Sequence, residues 1–216
     1  MPDTGRPDVL GMRLAHRAMR ADLHRLTHLA ELIGSGGVTC SRRRAAALAA
    51  YAGRVCDGVR HHHDAENRHL WPVLARVAGA EIDLCELVDD HAALDPLLDR
   101  ACAAVAAFAH EPGDPAAAQR CAYALRAVRD LLDEHVDEEE RTILPVIDRY
   151  VTVAQWRAVE QAARRGADPL FDLCRRERVA EPAELAALRA ATGPVSRLLL
   201  ALLRPGYRRR ERLIFG

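Results

Sequence analysis

His62 to Val77 reads HHDAENRHLWPVLARV, and His135 to Tyr150 reads HVDEEERTILPVIDRY. Laid over one another without gaps, the two stretches agree at seven of sixteen positions: His62/His135, Asp64/Asp137, Glu66/Glu139, Arg68/Arg141, Pro72/Pro145, Val73/Val146 and Arg76/Arg149. Each copy sets a histidine and a glutamate four residues apart, a spacing that points both side chains the same way from one helix. An HxxxE unit used twice in one chain implies two equivalent halves. In a helical protein two such halves bring two sets of nitrogen and oxygen donors together.

Working outward, four long helical segments frame these units. Segment A runs from about Asp8 to Ile33 and stops at Gly34-Ser35-Gly36-Gly37. Segment B starts near Ser41, a plausible N-cap, and runs to about Ala78. Segment C spans about Ile82 to Ala109 and breaks at Glu111-Pro112-Gly113. Segment D opens with Asp114-Pro115, an N-cap followed by proline in the first turn, and reaches about Tyr150. The connections are short, so consecutive helices are expected to pack as antiparallel neighbours.

Core-facing residues of a bundle recur at alternating steps of three and four. The seams are Val9, Met12, His16, Met19, Leu23, Leu26, Ala30, Ile33 in A; Leu48, Ala52, Val55, Val59, His62, Glu66, His69, Val73 in B; Leu84, Leu87, His91, Leu94, Leu98, Ala101, Val105, Phe108 in C; and Leu125, Val128, Leu132, His135, Glu139, Thr142, Val146 in D. Each seam is mostly apolar, and each carries histidine where an apolar residue is expected. Buried charge costs several kcal/mol unless paired or bound to metal. His16, His62, His91 and His135, with Glu66 and Glu139, therefore predict a metal site. His16 and His62 fall at nearly the same height along A and B at about 1.5 Å per residue. His91, about 10 residues into C, and His135, about 21 into D, match less well and call for C to start partway along the bundle or for staggered loops.

Composition agrees with helix and sets limits. Half of the 216 residues are hydrophobic but only 4% are aromatic. Net charge is zero, and the chain has no lysine, so its basic charge is all arginine. Nothing global calls for nucleic acid or a membrane surface. The longest apolar run, Val195 to Leu203, is too short to span a bilayer, and Met1 to Pro7 lacks the apolar core of a signal peptide. A cytoplasmic protein, monomeric or homodimeric, is the expectation. The six cysteines are scattered without a CxxC pair and read as small buried hydrophobes.

The order H…HxxxE…H…HxxxE resembles the hemerythrin-like, or HHE cation-binding, family, and HHHDAENRHLWPVL and DEHVDEEERTILPVI are similar to its two signature segments. The resemblance covers roughly residues 9–150. It implies an all-α fold, an up-down four-helix bundle, holding two oxo-bridged non-haem iron ions. Carried over residue by residue, the metal ligands would be His16, His62, Glu66, His91, His135 and Glu139, with the glutamates bridging. The sequence departs from the oxygen carriers of that family at two places. Their third helix supplies two histidines four residues apart, whereas His91 is followed at that distance by Asp95. Their last carboxylate lies five residues after its histidine, which would select Glu140; the internal repeat selects Glu139. More oxygen donors favour hard ferric iron over reversible oxygen carriage.

Other residues read as follows. His63 points about 100° away from His62 and is a neighbour of the ligands or an extra ligand. Asp95 either caps a helix interrupted by Pro96 or is a ligand, Tyr51 packs in the core or gates access, and Glu138 and Glu140 are solvated or support the ligands. His61 and His69 are peripheral, and His24, His28 and His110 lie on the surface. Pro72 and Pro145 should bend their helices just past the site. The domains expected are a bundle over 8–150 and a helical extension over 151–216. That extension has helices at 154–165 and 183–191, prolines breaking it at 169, 182, 194 and 205, and a solvated basic tail. The function expected is binding or turnover of a small oxidant, O2, H2O2 or NO, with catalase- or peroxidase-like activity as its enzymatic form and the electron donor open. A non-enzymatic iron or oxygen sensor using the same site is the alternative, and manganese or zinc could take the same ligands.

Overall fold

The computed structural model describes residues 5–216, without the side chains of residues 80 and 194–196. Residues 1–4, part of the stretch read above for a leader, and the side chains opening the run from Val195 lie outside it. The described residues are helical and contain no strand. The order is α1 (Leu10–Gly34), α2 (Arg42–Ala65), a π-helical turn (Glu66–Leu70), α3 (Trp71–Val77), a short 3-10 turn (Gly79–Glu81), α4 (Cys85–His110) and α5 (Pro115–Tyr150). Then come α6 (Val153–Ala163), α7 (Pro169–Val179), α8 (Pro182–Ala191) and α9 (Pro194–Phe215).

The expected start signals act as caps. Ser41 Oγ accepts from the Arg44 amide, and Asp114 accepts from the amides of Ala116 and Ala117 with Pro115 in the first turn. After α1 the chain reverses through Gly36 at φ 76°, a conformation that favours glycine. The four long helices contact one another in a closed order: α1 packs on α5 and α2, and α4 packs on α5 and α2. α5, with 36 residues, outlasts α4, with 26. No stagger is needed, because from the turn they share His91 lies 19 residues before the end of α4 and His135 20 residues after the start of α5, which puts both at the same height.

Two apolar clusters fill the interior. The larger holds Met19, Leu23, Val59, Leu94, Leu98, Leu132 and Val136 among others. The smaller holds Met12, Leu70, Trp71, Leu87, Ile143, Ile147 and Trp156. His16 lies between Met12 and Met19, Glu66 between Val59 and Leu70, and His91 between Leu87 and Leu94. His135 and Glu139 lie between Leu132 and Ile143. A polar layer is thus sandwiched between two dry layers.

The seams hold up to that layer and shift beyond it. His69 is exposed and Val73 only partly buried, while Leu70, Trp71 and Leu74 are inside. The π-helical turn explains this. Trp71 N–H donates to Glu66 O, five residues back, so one extra residue enters the helix and everything after it rotates. Pro72, which has no N–H to give, follows directly. In α5, Ile143, Leu144 and Ile147 are buried in place of Thr142 and Val146, without a break at Pro145.

The extension is more helical than its prolines indicated. Pro169, Pro182 and Pro194 open helices in the first turn, and Pro205 lies inside α9. α7 packs on α1, and α9 on α2 and α7. Arg208, Arg209 and Arg210 are exposed as expected, but they belong to α9, and Ile214 beyond them is fully buried. The anchor of the extension is Asp22 on α1, which is fully buried. It is paired with Arg175 and Arg178 of α7 and accepts from the Tyr51 hydroxyl at 2.7 Å. Arg178 also donates to Tyr51 and to Glu211 of α9, at 3.0 and 2.8 Å. No described helix is long and apolar enough to cross a membrane.

Candidate metal centre

The polar layer brings together all six residues read from the seams, in two groups. His16, His62, Glu66 and Glu139 offer ligand atoms that all lie within 4.8 Å of one another, and so do His63, His91 and His135. In the first group His16 Nε2 is 2.9 Å from His62 Nε2. In the second, His91 Nε2 is 3.1 Å from His135 Nε2. Glu66 spans the two: Oε1 is 2.8 Å from His62 Nε2, and Oε2 is 3.6 Å from His91 Nε2. Glu139 Oε2 does the same from the other side, 3.3 Å from His16 Nε2 and 3.8 Å from His135 Nε2.

The far nitrogens of three rings are held by acceptors. His16 Nδ1 donates to Glu140 at 2.9 Å, His91 Nδ1 to the Asn67 side-chain oxygen at 3.0 Å, and His135 Nδ1 to Asp90 at 3.3 Å. An Nδ1–H committed outward leaves Nε2 as a lone pair aimed into the layer, the arrangement of a metal-binding histidine. Glu140, rejected as a ligand on the repeat, orients His16. Asp95 is mostly exposed on α4, facing Arg60, and stays outside the centre.

His63, not Asp95, joins His91 and His135 in the second group. It is 4% exposed, its ring stacks on His91 at 4.1 Å and 9°, and neither nitrogen has a hydrogen-bond partner. The available nitrogens thus number five among the described residues, more than Asp95 had implied. The signal was present in the dipeptide His62-His63. α2 touches both α1 and α4, and residues about 100° apart on one helix face two such neighbours. His62 serves the group with His16, and His63 the group with His91.

The donors fit a metal pair. All four oxygens of Glu66 and Glu139 are buried and lack a hydrogen-bond partner, as do both nitrogens of His63. Such orphaned groups cost about 1–3 kcal/mol each, more when charged. Two lone-pair nitrogens about 3 Å apart suit a shared cation at about 2.0–2.1 Å from each.

Without a cation the layer redistributes protons. Burial opposes charge on His16, but Glu139, then Glu140 and Glu66, hold its pKa up at about 10. Burial, with Glu66 beside it, pushes Glu139 well above the usual carboxylate range. Glu66 is held well below that range: burial opposes ionisation, but His62 and His16 outweigh it. Burial drives His91 down to about 4, and shifts His63 and His135 in the same direction.

Access is uneven. The His62 side chain is 18% exposed and Glu140 27%, against 5% or less for His16, Glu66, His91, His135 and Glu139. Next to this opening, His61 Nε2 donates to the Ala163 carbonyl at the end of α6, at 2.7 Å. Tyr51 lies away from the centre, bonded to Asp22. His24 pairs with Asp133 at 2.7 Å, and His28, His69 and His110 are exposed.

A model of the hemerythrin HHE cation binding domain matches residues 10–147 of the chain. No curated protein and no solved structure matches it.

Proposed function

The chain belongs to the hemerythrin HHE cation-binding family, and from that premise we propose that it holds two iron ions within an up-down four-helix bundle and uses them to bind or turn over a small oxidant: O2, H2O2 or NO. One observation carries the reading. Two pairs of converging imidazoles are joined by two buried carboxylates that have no other partner. When bound, the irons supply one-electron redox changes and an open position for a small ligand.

The chain does the rest. Glu66 and Glu139 reach both nitrogen groups and would hold a metal at each. Glu140, Asn67 and Asp90 keep the Nδ1 protons on His16, His91 and His135, so that Nε2 stays basic. Trp71 stacks on His91 at 5.9 Å and, with Leu70, Leu87 and Ile143, closes one side of the layer to water. The more exposed edge at His62 is the entry route for the small ligand. Catalase- or peroxidase-like turnover is the enzymatic form of this proposal.

The test is to load the chain with ferrous iron without oxygen and add O2, H2O2 or NO in turn. The proposal expects an optical change with at least one, lost in His62→Ala. An iron-loaded chain indifferent to all three would refute it. The sensor reading draws on the bond from His61 to Ala163, which ties the extension to the residue beside a ligand. Ligand-dependent protease access to residues 151–216 without turnover would favour it.

A further inference from the structure

A pair of cysteines lies on the same two helices as the second nitrogen group, further into the larger core. Cys56 on α2 is 1% exposed within that core, and Cys102 on α4 is half-buried against it. Cys56 is two turns before His63 on α2, and Cys102 three turns beyond His91 on α4. His63 stacks on His91 and Arg60 meets Asp99 at 2.6 Å, so α2 and α4 run antiparallel in contact, and Cys56 and Cys102 each lie one turn further into the core from that last pair, as close neighbours across the two helices. Arg60, one turn after Cys56, reaches across to Asp99, one turn before Cys102, and its charge favours the Cys102 thiolate. The two helices therefore present a buried thiol, a more accessible thiol and a guanidinium as one group. The other four cysteines have no such arrangement described.

We propose that Cys56 and Cys102 are a redox-active dithiol that a hydroperoxide oxidises to a disulfide linking α2 to α4. The division of labour follows from the surroundings. Cys102 is half-buried beside Arg60 and can be reached by a peroxide, whereas Cys56 is enclosed by the core, so Cys102 is the nucleophile and Cys56 the thiol that resolves it. In the same direction, Cys56 and Arg60 draw the Cys102 thiol down from its ordinary pKa. It attacks one peroxide oxygen: the S–O bond forms, the O–O bond breaks, and the departing oxygen leaves with a proton as water or an alcohol. Cys102 is now a sulfenic acid, oxidised by two electrons. Cys56 attacks that sulfur; the S–S bond forms, the S–O bond breaks, and hydroxide leaves with the Cys56 proton as water. In sum the dithiol loses two hydrogens and the peroxide is reduced. Arg60 stabilises the thiolate, and the core around Cys56 keeps the second thiol reduced until its partner has reacted.

No metal is needed in these steps, so the pair stands or falls apart from the iron reading. The test is direct. The full chain is treated with increasing H2O2, its remaining thiols are alkylated, and it is digested with trypsin without reduction. The proposal expects peptide 55–60 linked to peptide 101–120, with loss of alkylation at both cysteines and recovery in dithiothreitol. The same linkage should form after treatment of the chain with a chelator. In full-chain Cys56→Ser, Cys102 should instead be trapped as a sulfenic acid by a dione probe. Both peptides remaining alkylated while exposed Cys85 oxidises, a link to another cysteine, or linkage only with metal present would each overturn it.

Discussion

Glu139→Gln should move the metal-free and the metal-loaded chain in opposite directions. In the metal-free chain Glu139 is fully buried, and neither of its oxygens has a hydrogen-bond partner. It faces Glu66, and burial beside that carboxylate keeps it protonated far above the usual range. Glutamine has the same shape, carries no charge and offers an amide donor to Glu66. At neutral pH folding must add a proton to this acid, which is ionised when unfolded, and glutamine, neutral in both states, removes that cost of about 1–3 kcal/mol. For a chain of 216 residues that is a rise in Tm of roughly 2–12 °C. With iron present the order reverses, because the variant lacks one of the two anionic bridges. A site saturated about a thousandfold above its Kd stabilises the native protein by about 4 kcal/mol, and the variant should lose most of that rise. Thermal unfolding with chelator and with ferrous iron under anaerobic conditions measures both. A variant that melts below the wild type in chelator would mean that Glu139 has a structural partner. An unchanged metal-induced rise would mean that it is no ligand. Either result refutes the reasoning.

Asp22→Ala leaves the buried Arg175 and the partly buried Arg178 without their shared carboxylate, and should cost about 3–5 kcal/mol. Urea unfolding measures this, and metal content should not change; a loss below about 1 kcal/mol would contradict it. Glu140→Ala frees the Nδ1 of His16 without removing a ligand. Metal affinity measured against a competing chelator should fall about 10–100-fold while the metal count at saturation is kept. In the metal-free chain, His91 has a folded pKa of about 4 against 6.5 unfolded. The folded state therefore binds fewer protons in that window, and stability should fall as pH drops through it. His16 acts at the other end: its pKa is raised to about 10, so its contribution is complete below 6.5 and lost as pH rises toward 10. Urea midpoints across both windows should peak near neutrality, and metal loading at neutral pH should release protons.

Much of this was legible because the chain repeats itself. The two HxxxE units, the caps at Ser41 and Asp114 and the histidine on each seam are local signals, and they marked the residues that meet in the polar layer. What was not legible depends on events between elements. The π-helical turn at Glu66–Leu70 rotates the helix after it, so a fixed step kept His69 and Val73 on the seam when Leu70 and Trp71 belong there. His63 was left open because a seam assigns one face to each helix, whereas α2 has two neighbours in contact. The role of Glu140 appears only when α5 lies beside α1. Asp22 sits next to Leu23 without any local mark; its partners Arg175 and Arg178 are more than 150 residues away. α7 and α9 were hidden because Pro169 and Pro194 read as breaks, although proline opens a helix as readily as it ends one. Cys56 and Cys102 likewise carry no spacing motif; they meet only across two helices.

The most direct test of the central claim is the metal content of the protein purified from iron-supplied cells, taken with its optical spectrum. The account predicts two irons per chain, one for each group of donors, and near-ultraviolet charge-transfer absorption. Both should be lost in a His62→Ala, Glu139→Ala double variant that still folds. A folded wild-type chain that carries no metal would contradict the account.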